Sequence, residues 1–128
     1  MPQAKFCLRV GSDFSASHQL RNYGGKCENL HGHNFLVEAE VCGSKVDPDT
    51  GMLVDFKDLK ENLQAVLRDL DHKHLNDLPQ FERVNPSSEN LAYFVFQGLK
   101  SKLNSLEVSL EWVMVAESST SRAYYSEK

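Results

Sequence analysis

The ten residues NFLVEAEVCG, numbered 34–43, alternate between side chains that suit a core and side chains that suit water. The apolar positions are Phe35, Val37, Ala39 and Val41. A period of two over this length is typical of a β-strand with one buried face. The stretch therefore predicts a strand that lies on a hydrophobic core, and the remaining elements are placed around it.

A second stretch with the same period lies upstream, at residues 5–14. Phe6, Leu8 and Val10 fall on one face, so this segment predicts a strand antiparallel to the first. Residues 15–33, between the two, are mostly polar and include YGGK. They predict a long loop, and loops of this length in small domains are usually functional or disordered.

Two helices are predicted downstream of a turn at DPDTGM, residues 47–52. In the first, Asp55 is the expected N-cap and Asp58 lies in the first turn. Its apolar stripe consists of Phe56, Leu59, Leu63, Val66, Leu67 and Leu70. The second helix follows NPSSEN and is capped by Ser87 or Ser88. Its buried stripe consists of Ala92, Val95, Phe96, Leu99 and Leu103.

Two more strands are predicted at SLEVSLEWVMVAES, residues 105–118, and at SRAYYS, residues 121–126. The expected fold is one α+β domain over residues 1–128, in the order β-β-α-α-β-β, with two helices covering one face of a four-stranded sheet. In the third strand, Leu110, Trp112, Met114 and Ala116 are expected to share a face. The chain is apolar on both faces near Trp112, and exposed sheet edges are a liability. We therefore expect subunits to associate in an oligomer.

Composition excludes several classes of function. The net charge is −4 and there is no basic block, which argues against a nucleic-acid partner. No apolar run reaches the length of a membrane span, and the N-terminus has no apolar core of a signal peptide. Three widely spaced cysteines fit a reducing cytoplasm better than a disulfide framework, so Cys7 and Cys42 are expected to be inert apolar residues in their strands.

His31 and His33 are separated by one glycine at the entry to the strand of residues 34–43. Their spacing places both imidazoles on one face, where they suit a tetrahedral zinc ion. His18 is the best candidate for a third ligand, because antiparallel pairing would bring the facing strand ends together. Three histidine ligands would leave an open position, as in catalytic zinc sites. The alternative is an ordinary polar loop that contains histidines.

The chemistry of each of three other residue groups can be interpreted in two ways. Cys27 is either a fourth zinc ligand in a closed structural site or a free thiol beside the metal. Asp71 and His72, in LDHKHLN, suit proton transfer, although cationic residues near a helix C-terminus are common. Glu117 either accepts two N–H donors from an amino-pyrimidinone ring or is a solvated residue at the end of a strand.

Six motifs follow one another along the chain: FSASH, CENLHGHN, DPDTGMLVDFKDLK, LDHKHLN, NPSSEN and AES. In these motifs the sequence resembles the 6-pyruvoyl-tetrahydropterin synthase family, which includes bacterial 6-carboxytetrahydropterin synthase. The resemblance covers nearly the whole chain. It implies a T-fold, which is a four-stranded antiparallel sheet with two helices on one face. It also implies that three subunits close into a barrel and that two trimers form a hexamer.

The resemblance further implies roles for particular residues and a substrate, 7,8-dihydroneopterin triphosphate. The implied zinc ligands are His18, His31 and His33, and the implied base is Cys27. Asp71 and His72 are the implied proton-transfer pair, presented from a neighbouring subunit. The implied pterin contacts are Glu117, Ser87 and Ser88. The basic residues that could meet the triphosphate are Arg21, Lys26, Lys73 and Arg122.

The spacing in CENLHGH distinguishes branches of the family. Three residues separate Cys27 from His31, as in the bacterial 6-carboxytetrahydropterin synthases of queuosine biosynthesis; the animal enzymes have a longer spacing. Glu28 occurs where a folate-branch subgroup uses a glutamate to release 6-hydroxymethyl-7,8-dihydropterin. A chain with both residues resembles the bifunctional type, unless Glu28 is an exposed loop residue.

The expectation is therefore a cytoplasmic, zinc-dependent lyase that forms 6-carboxy-5,6,7,8-tetrahydropterin. The alternatives are the folate branch or both activities, 6-pyruvoyl-tetrahydropterin synthase activity, and a non-catalytic zinc-binding or pterin-binding domain.

Overall fold

The computed structural model describes residues 2–22 and 29–128, and it contains one mixed sheet covered by two helices. The elements in chain order are β1 (Phe6–His18), β2 (His31–Gly43), α1 (Phe56–Leu67), β3 (Lys73–His74), α2 (Ser88–Leu103), β4 (Ser109–Ser118) and β5 (Ser121–Tyr125). Two short 3₁₀ turns lie between β3 and α2. The strand order in the sheet is β3-β1-β2-β4-β5. Neither α1 nor α2 is long and apolar enough to cross a membrane.

The β1–β2 pair is the longest ladder in the described part of the chain. It runs without a break from Phe6 opposite Gly43 to His18 opposite His31. The prediction of a loop over residues 15–33 was therefore wrong at both ends. Ala16 and His18 continue the buried alternation of the strand, and the alternating serines Ser15 and Ser17 made this segment look like a loop.

The two helices begin as the sequence predicts. The Asp55 carboxylate accepts a hydrogen bond from the Lys57 N–H, and the Ser87 hydroxyl accepts one from the Asn90 N–H. The predicted stripes are buried, except that Phe56 is 50% exposed. It is the first residue of α1 and lies beside Phe6 at an exposed apolar surface, outside the main core.

A β-bulge changes which residues of β4 face the core. Val41 pairs with Leu110, whereas the preceding residue, Glu40, pairs with Trp112, so Glu111 is the extra residue. Leu110 therefore packs against the core, while the Trp112 ring lies 5.0 Å from the Arg9 guanidinium on the other face. The prediction that Leu110 and Trp112 share a face was wrong because alternation cannot show an inserted residue.

The sheet has five strands instead of the predicted four, and it is not wholly antiparallel. The extra strand, β3, has two residues and runs parallel to β1 beside Ala16 and Ser17. It forms because the chain leaving α1 returns along this edge, where the His72 N–H donates to the Ser15 carbonyl at 2.6 Å. A two-residue strand is too short to have a period of its own.

Cys7 and Cys42 form a disulfide, so the expectation that they are inert apolar residues was wrong. The β1–β2 register places them directly opposite each other, with their Cα atoms 4.1 Å apart. Sequence spacing alone could not show this, because the register comes from the whole ladder. The bond lies at the opposite end of the ladder from His18.

Candidate active site

Three imidazoles converge where the β1–β2 ladder ends. His18 and His31 are directly opposite each other, and His33 is two residues further along the same face of β2. The Nε2 atoms of His18 and His31 are 2.9 Å apart, and one ligand nitrogen from each of the three rings lies within 4.8 Å of the others. Strand pairing thus brings together the three histidines singled out in the sequence.

The apolar residues beneath the cluster hold it in place. Phe14 and Phe35 stack with centroids 4.9 Å apart, and both are buried. The Phe35 centroid lies 5.5 Å from the His18 ring and 5.3 Å from the His33 ring. His18 itself is fully buried, and this burial lowers its pKa below the usual value. Burial therefore favours the neutral imidazole, which is the form that binds a metal.

Backbone carbonyls set the tautomers of two of these rings. The Nδ1 atom of His18 lies 2.7 Å from the Pro86 carbonyl oxygen, and that of His31 lies 2.8 Å from the Asn29 carbonyl oxygen. A carbonyl only accepts, so each Nδ1 carries the proton and donates. The two Nε2 lone pairs then face each other at 2.9 Å, which is unfavourable unless a cation is bound between them.

The donor set fits a metal ion. The Nε2 atom of His33 is buried and has no hydrogen-bond partner within residues 2–22 and 29–128. Buried polar atoms are normally paired, so an atom of this kind beside two other imidazoles indicates a ligand position. Three neutral histidine nitrogens suit Zn²⁺, and they leave one position of a tetrahedron for another ligand.

Glu117 lies between the histidine cluster and the start of α2. Its Oε1 accepts a hydrogen bond from the Ser88 hydroxyl at 3.2 Å. Its carboxylate oxygens lie 3.8 Å from Nε2 of His18 and of His33. Glu117, Ser88 and Arg122 line one pocket with Ser87, whose hydroxyl caps α2. This pocket therefore contains a carboxylate, a guanidinium and hydroxyl groups, and it adjoins the cluster.

Asp71 and His72 lie on the edge of the sheet beside β1. Asp71 Oδ2 is 3.0 Å from His72 Nδ1, and Asp71 Oδ1 accepts from the Ser15 N–H at 2.9 Å. The Ser15 N–H is the main cause that holds the pKa of Asp71 below its usual value, and His72 lowers it further. His72 has a φ of 59°, an unusual value for a residue with a side chain, and its ring is exposed. It lines an open groove together with His33.

The remaining predicted residues have different surroundings. Cys27, Glu28 and Lys26 lie outside the described residues. Arg21 donates to the backbone carbonyls of Phe81 at 2.5 Å and Val84 at 3.5 Å, so its guanidinium is already engaged with the protein.

Lys73 is exposed and donates to the Asp69 carbonyl at 3.1 Å, while Arg122 lines the Glu117 pocket. Arg122 is therefore the cation of the Glu117 pocket, whereas Lys73 lines the groove shared by His33 and His72.

Sequence reasoning missed the carbonyls of Pro86 and Asn29, because a backbone acceptor leaves no trace in side-chain chemistry. His74 is the second histidine of LDHKHLN. In the structure His74 lies apart from the three-histidine cluster and pairs through Nδ1 with the Ser17 hydroxyl at 2.9 Å.

The fold and the site define a class of small α+β proteins in which a strand ladder ends in a three-histidine site. Within that class, the chain belongs to the 6-pyruvoyl tetrahydropterin synthase family, whose model matches residues 7–128.

Named relatives and a solved structure agree with this placement. The chain is 38% identical over 117 residues to a Synechocystis 6-carboxy-5,6,7,8-tetrahydropterin synthase, covering 88% of this chain and 86% of the relative. It is 37% identical over 115 residues to human 6-pyruvoyl tetrahydrobiopterin synthase, covering 79% and 77%. The structure of the Caenorhabditis elegans 6-pyruvoyl tetrahydropterin synthase superposes with a TM-score of 0.85 at 29% identity, covering 100% of both chains. These relatives are lyases, and this chain is an enzyme of the same kind.

Proposed function

We propose that this enzyme is a zinc-dependent 6-carboxytetrahydropterin synthase that converts 7,8-dihydroneopterin triphosphate to 6-carboxy-5,6,7,8-tetrahydropterin. The observation that carries the proposal is the convergence of three imidazole Nε2 atoms beside the carboxylate of Glu117. This convergence supports the proposal because a reaction on a pterin side chain requires a metal close to the group that binds the ring.

The residues of the site would have different roles in the reaction. A bound zinc ion supplies Lewis-acid chemistry, which lowers the pKa of coordinated oxygen groups. Glu117, hydrogen-bonded to Ser88, would accept N–H donors of the pterin ring and orient the substrate side chain towards the histidines. Cys27 would act as a base on that side chain, and Ser87 and Ser88 would border the ring.

His72 is the second proton-transfer group in this proposal. Asp71 accepts from His72 Nδ1, so Nε2 is the ring atom left to exchange a proton with substrate. The Ser15 N–H keeps Asp71 ionised and fixes its orientation. Asp71 would therefore hold His72 in one tautomer, with the proton on Nδ1.

The choice of branch rests on the short spacing between Cys27 and His31 and on the Synechocystis relative, which carries the name of the proposed activity. Glu28 supports a second candidate, in which the enzyme also, or instead, releases 6-hydroxymethyl-7,8-dihydropterin for folate synthesis. The human relative is named for a third product of the same family.

Product analysis tests the branch. Purified enzyme with 7,8-dihydroneopterin triphosphate should yield 6-carboxytetrahydropterin, and Cys27→Ala should abolish it. Glu28→Ala serves as the matched variant: loss of a hydroxymethyl product in this variant alone would assign the second activity to Glu28. Wild-type enzyme that forms only a pyruvoyl product would overturn the proposed branch.

Metal analysis tests the site. His31→Ala removes one of the three converging nitrogens and should reduce bound zinc to less than about one tenth of the wild-type stoichiometry, because removing a ligand from a three-histidine site leaves only two. His74→Ala is the control, since His74 lies outside the cluster and pairs with Ser17. Equal zinc content in both variants would contradict the assignment.

We also propose that the enzyme is a homo-oligomer. The expected form is the hexamer that the family resemblance implies. Both sheet edges are open in the described chain: β5 has one neighbour, and β3 covers only Ala16 and Ser17 of β1. Unprotected edges favour pairing with another chain. In a hexamer, Asp71 and His72 would serve the histidine cluster of a neighbouring subunit.

Complementation tests the shared site. His31→Ala and His72→Ala should each be inactive as pure oligomers. When they are mixed, unfolded and refolded together, activity should return in hybrid oligomers, because one intact cluster can meet one intact His72. A mixture as inactive as its components would show that His72 does not act across subunits.

A further inference from the structure

Two asparagines hold the chain segment that follows His18. The Asn85 side chain pairs with both backbone groups of Arg21, accepting from its N–H at 2.9 Å and donating to its carbonyl at 2.8 Å. The Asn76 side chain makes the same double contact with Gln19, at 2.8 and 2.7 Å. Each side-chain amide thus pairs with the backbone N–H and carbonyl of one residue just beyond β1, as a neighbouring strand would.

The two contacts differ in what lies next to the asparagine. Asn85 directly precedes Pro86, whose buried carbonyl accepts the proton on His18 Nδ1 at 2.7 Å. Asn76 lies in a 3₁₀ turn after β3, and no hydrogen bond from residues 75–77 to the three histidines occurs in the described chain. Asn85 therefore joins the histidine cluster to the chain in a way that Asn76 does not.

Further contacts brace the same segment. Asn90, in the first turn of α2, donates to the Asn85 carbonyl at 2.8 Å. The Arg21 guanidinium donates to the carbonyls of Phe81 and Val84 on the other side. These bonds fix the backbone of residues 81–86 between β1 and α2, and the position of the Pro86 carbonyl follows from them.

We propose that Asn85 is a positioning residue of the metal centre: it places the Pro86 carbonyl on His18 Nδ1 and so keeps Nε2 unprotonated and aimed at the metal. The proposal rests on the proposed function for the identity of the metal. The tautomer argument needs only the geometry, since a carbonyl on Nδ1 selects the Nδ1–H form. Asn85 acts through Pro86 and His18 and does not itself touch substrate.

The experiment compares Asn85→Ala with Asn76→Ala. Both variants lose two hydrogen bonds of similar length to the backbone beside His18, and both asparagines are half-buried, so a general loosening of this segment should affect them equally. The readouts are zinc affinity, measured by competition with a chelating dye, and the His18 tautomer, measured by ¹⁵N NMR of the metal-free protein at a pH where the imidazole is neutral.

Asn85→Ala should weaken zinc binding by roughly 10- to 100-fold, the usual effect of losing an outer partner of a metal ligand, and should turn His18 into a mixture of tautomers. Asn76→Ala should stay within about threefold of wild type and keep the Nδ1–H form. If Asn85→Ala does not fold, Asn90→Ala, which removes only the bond to the Asn85 carbonyl, should weaken zinc binding more than Asn76→Ala does.

Equal losses in the two variants, or an unchanged His18 tautomer in Asn85→Ala, would overturn the proposal. Its failure is distinguishable from failure of the proposed function. If wild-type protein binds no zinc, the proposed function fails, while the tautomer spectra of the metal-free proteins still support or reject the role of Asn85.

Discussion

His18 shows how one side chain acquires its chemistry from its surroundings. It lies at the end of an alternating strand, it is fully buried, and Pro86 holds its proton on Nδ1. Burial favours the neutral ring, and the Pro86 carbonyl keeps the proton of that neutral ring on Nδ1, which leaves Nε2 free. The histidine is ordinary in the sequence, and its neighbours make it a candidate ligand.

Glu127, far from the candidate site, has a strongly shifted pKa. Its carboxylate accepts hydrogen bonds from Tyr125 Oη at 2.6 Å, Gln97 Nε2 at 2.6 Å and Lys100 Nζ at 2.9 Å. The Tyr125 hydroxyl is the largest cause that lowers the pKa of Glu127 to about 2, and the same contact raises the pKa of Tyr125 to about 12. These bonds tie the C-terminal segment to α2.

We predict that Glu127→Gln is less stable than wild type at neutral pH and that the difference shrinks as the solution is acidified. Because the folded-state pKa is depressed, the carboxylate stabilises the fold above its unfolded-state pKa of about 4.3. That contribution is lost as the pH falls towards about 2. Urea denaturation of both proteins between pH 7 and pH 3 measures the difference. A difference that stays constant over this range would contradict the shift.

At the level of elements, the α1–α2 contact depends on a glycine. A Cβ atom at Gly98 of α2 would lie 3.0 Å from Val66 Cγ1 and 3.3 Å from Val66 Cγ2. Val66 is buried and β-branched, so its methyl groups cannot turn away easily. The absence of a side chain at Gly98 therefore allows the two helices to approach each other.

Gly98→Ala should lower the free energy of unfolding by about 1 kcal/mol, because overpacking, which typically costs about 1–3 kcal/mol, exceeds the gain in helix propensity of about 1 kcal/mol. Val66→Ala makes room, so the double variant should be more stable than the sum of the single effects by about 1 kcal/mol. Ser101→Ala, at an exposed position of α2, is the control for propensity alone. Chemical denaturation measures all four, and simple additivity would show that the two helices do not collide.

On the scale of the whole molecule, the core extends well beyond the candidate metal site, which it meets at Phe35. It is formed by both helices and the inner face of the sheet, and it includes fully buried Leu63, Leu91 and Val113. A domain of 128 residues buries enough apolar surface to fold without a metal, unlike small zinc fingers.

Chelation should therefore remove zinc without unfolding the protein. At 25 °C the far-UV circular dichroism should stay unchanged, while the melting temperature should fall because bound metal stabilises the native state by mass action. That contribution is about 2.7 kcal/mol when free zinc is 100 times its dissociation constant. Activity should be lost and should return when zinc is added. Loss of the circular dichroism signal on chelation would instead indicate a structural metal.

Local patterns were sufficient for most of the framework. Alternation in residues 34–43 predicted β2, and capping chemistry at Asp55 and Ser87 predicted where the helices begin. These features depend on residues a few positions apart, and helical or strand periodicity reports them directly. The spacing of His31 and His33 likewise predicted that their side chains share a face.

Long-range contacts account for the features that the patterns did not show. These are the end of the β1–β2 ladder at His18, the two-residue strand β3, the bulge at Glu111 and the Cys7–Cys42 bond. The Pro86 carbonyl meets His18, and the Asn85 amide meets Arg21, each from more than 60 positions away. A single sequence shows its own periodicity. Which groups meet across the fold depends instead on strand register and on how the helices pack on the sheet. Register and packing are set only when the whole chain folds.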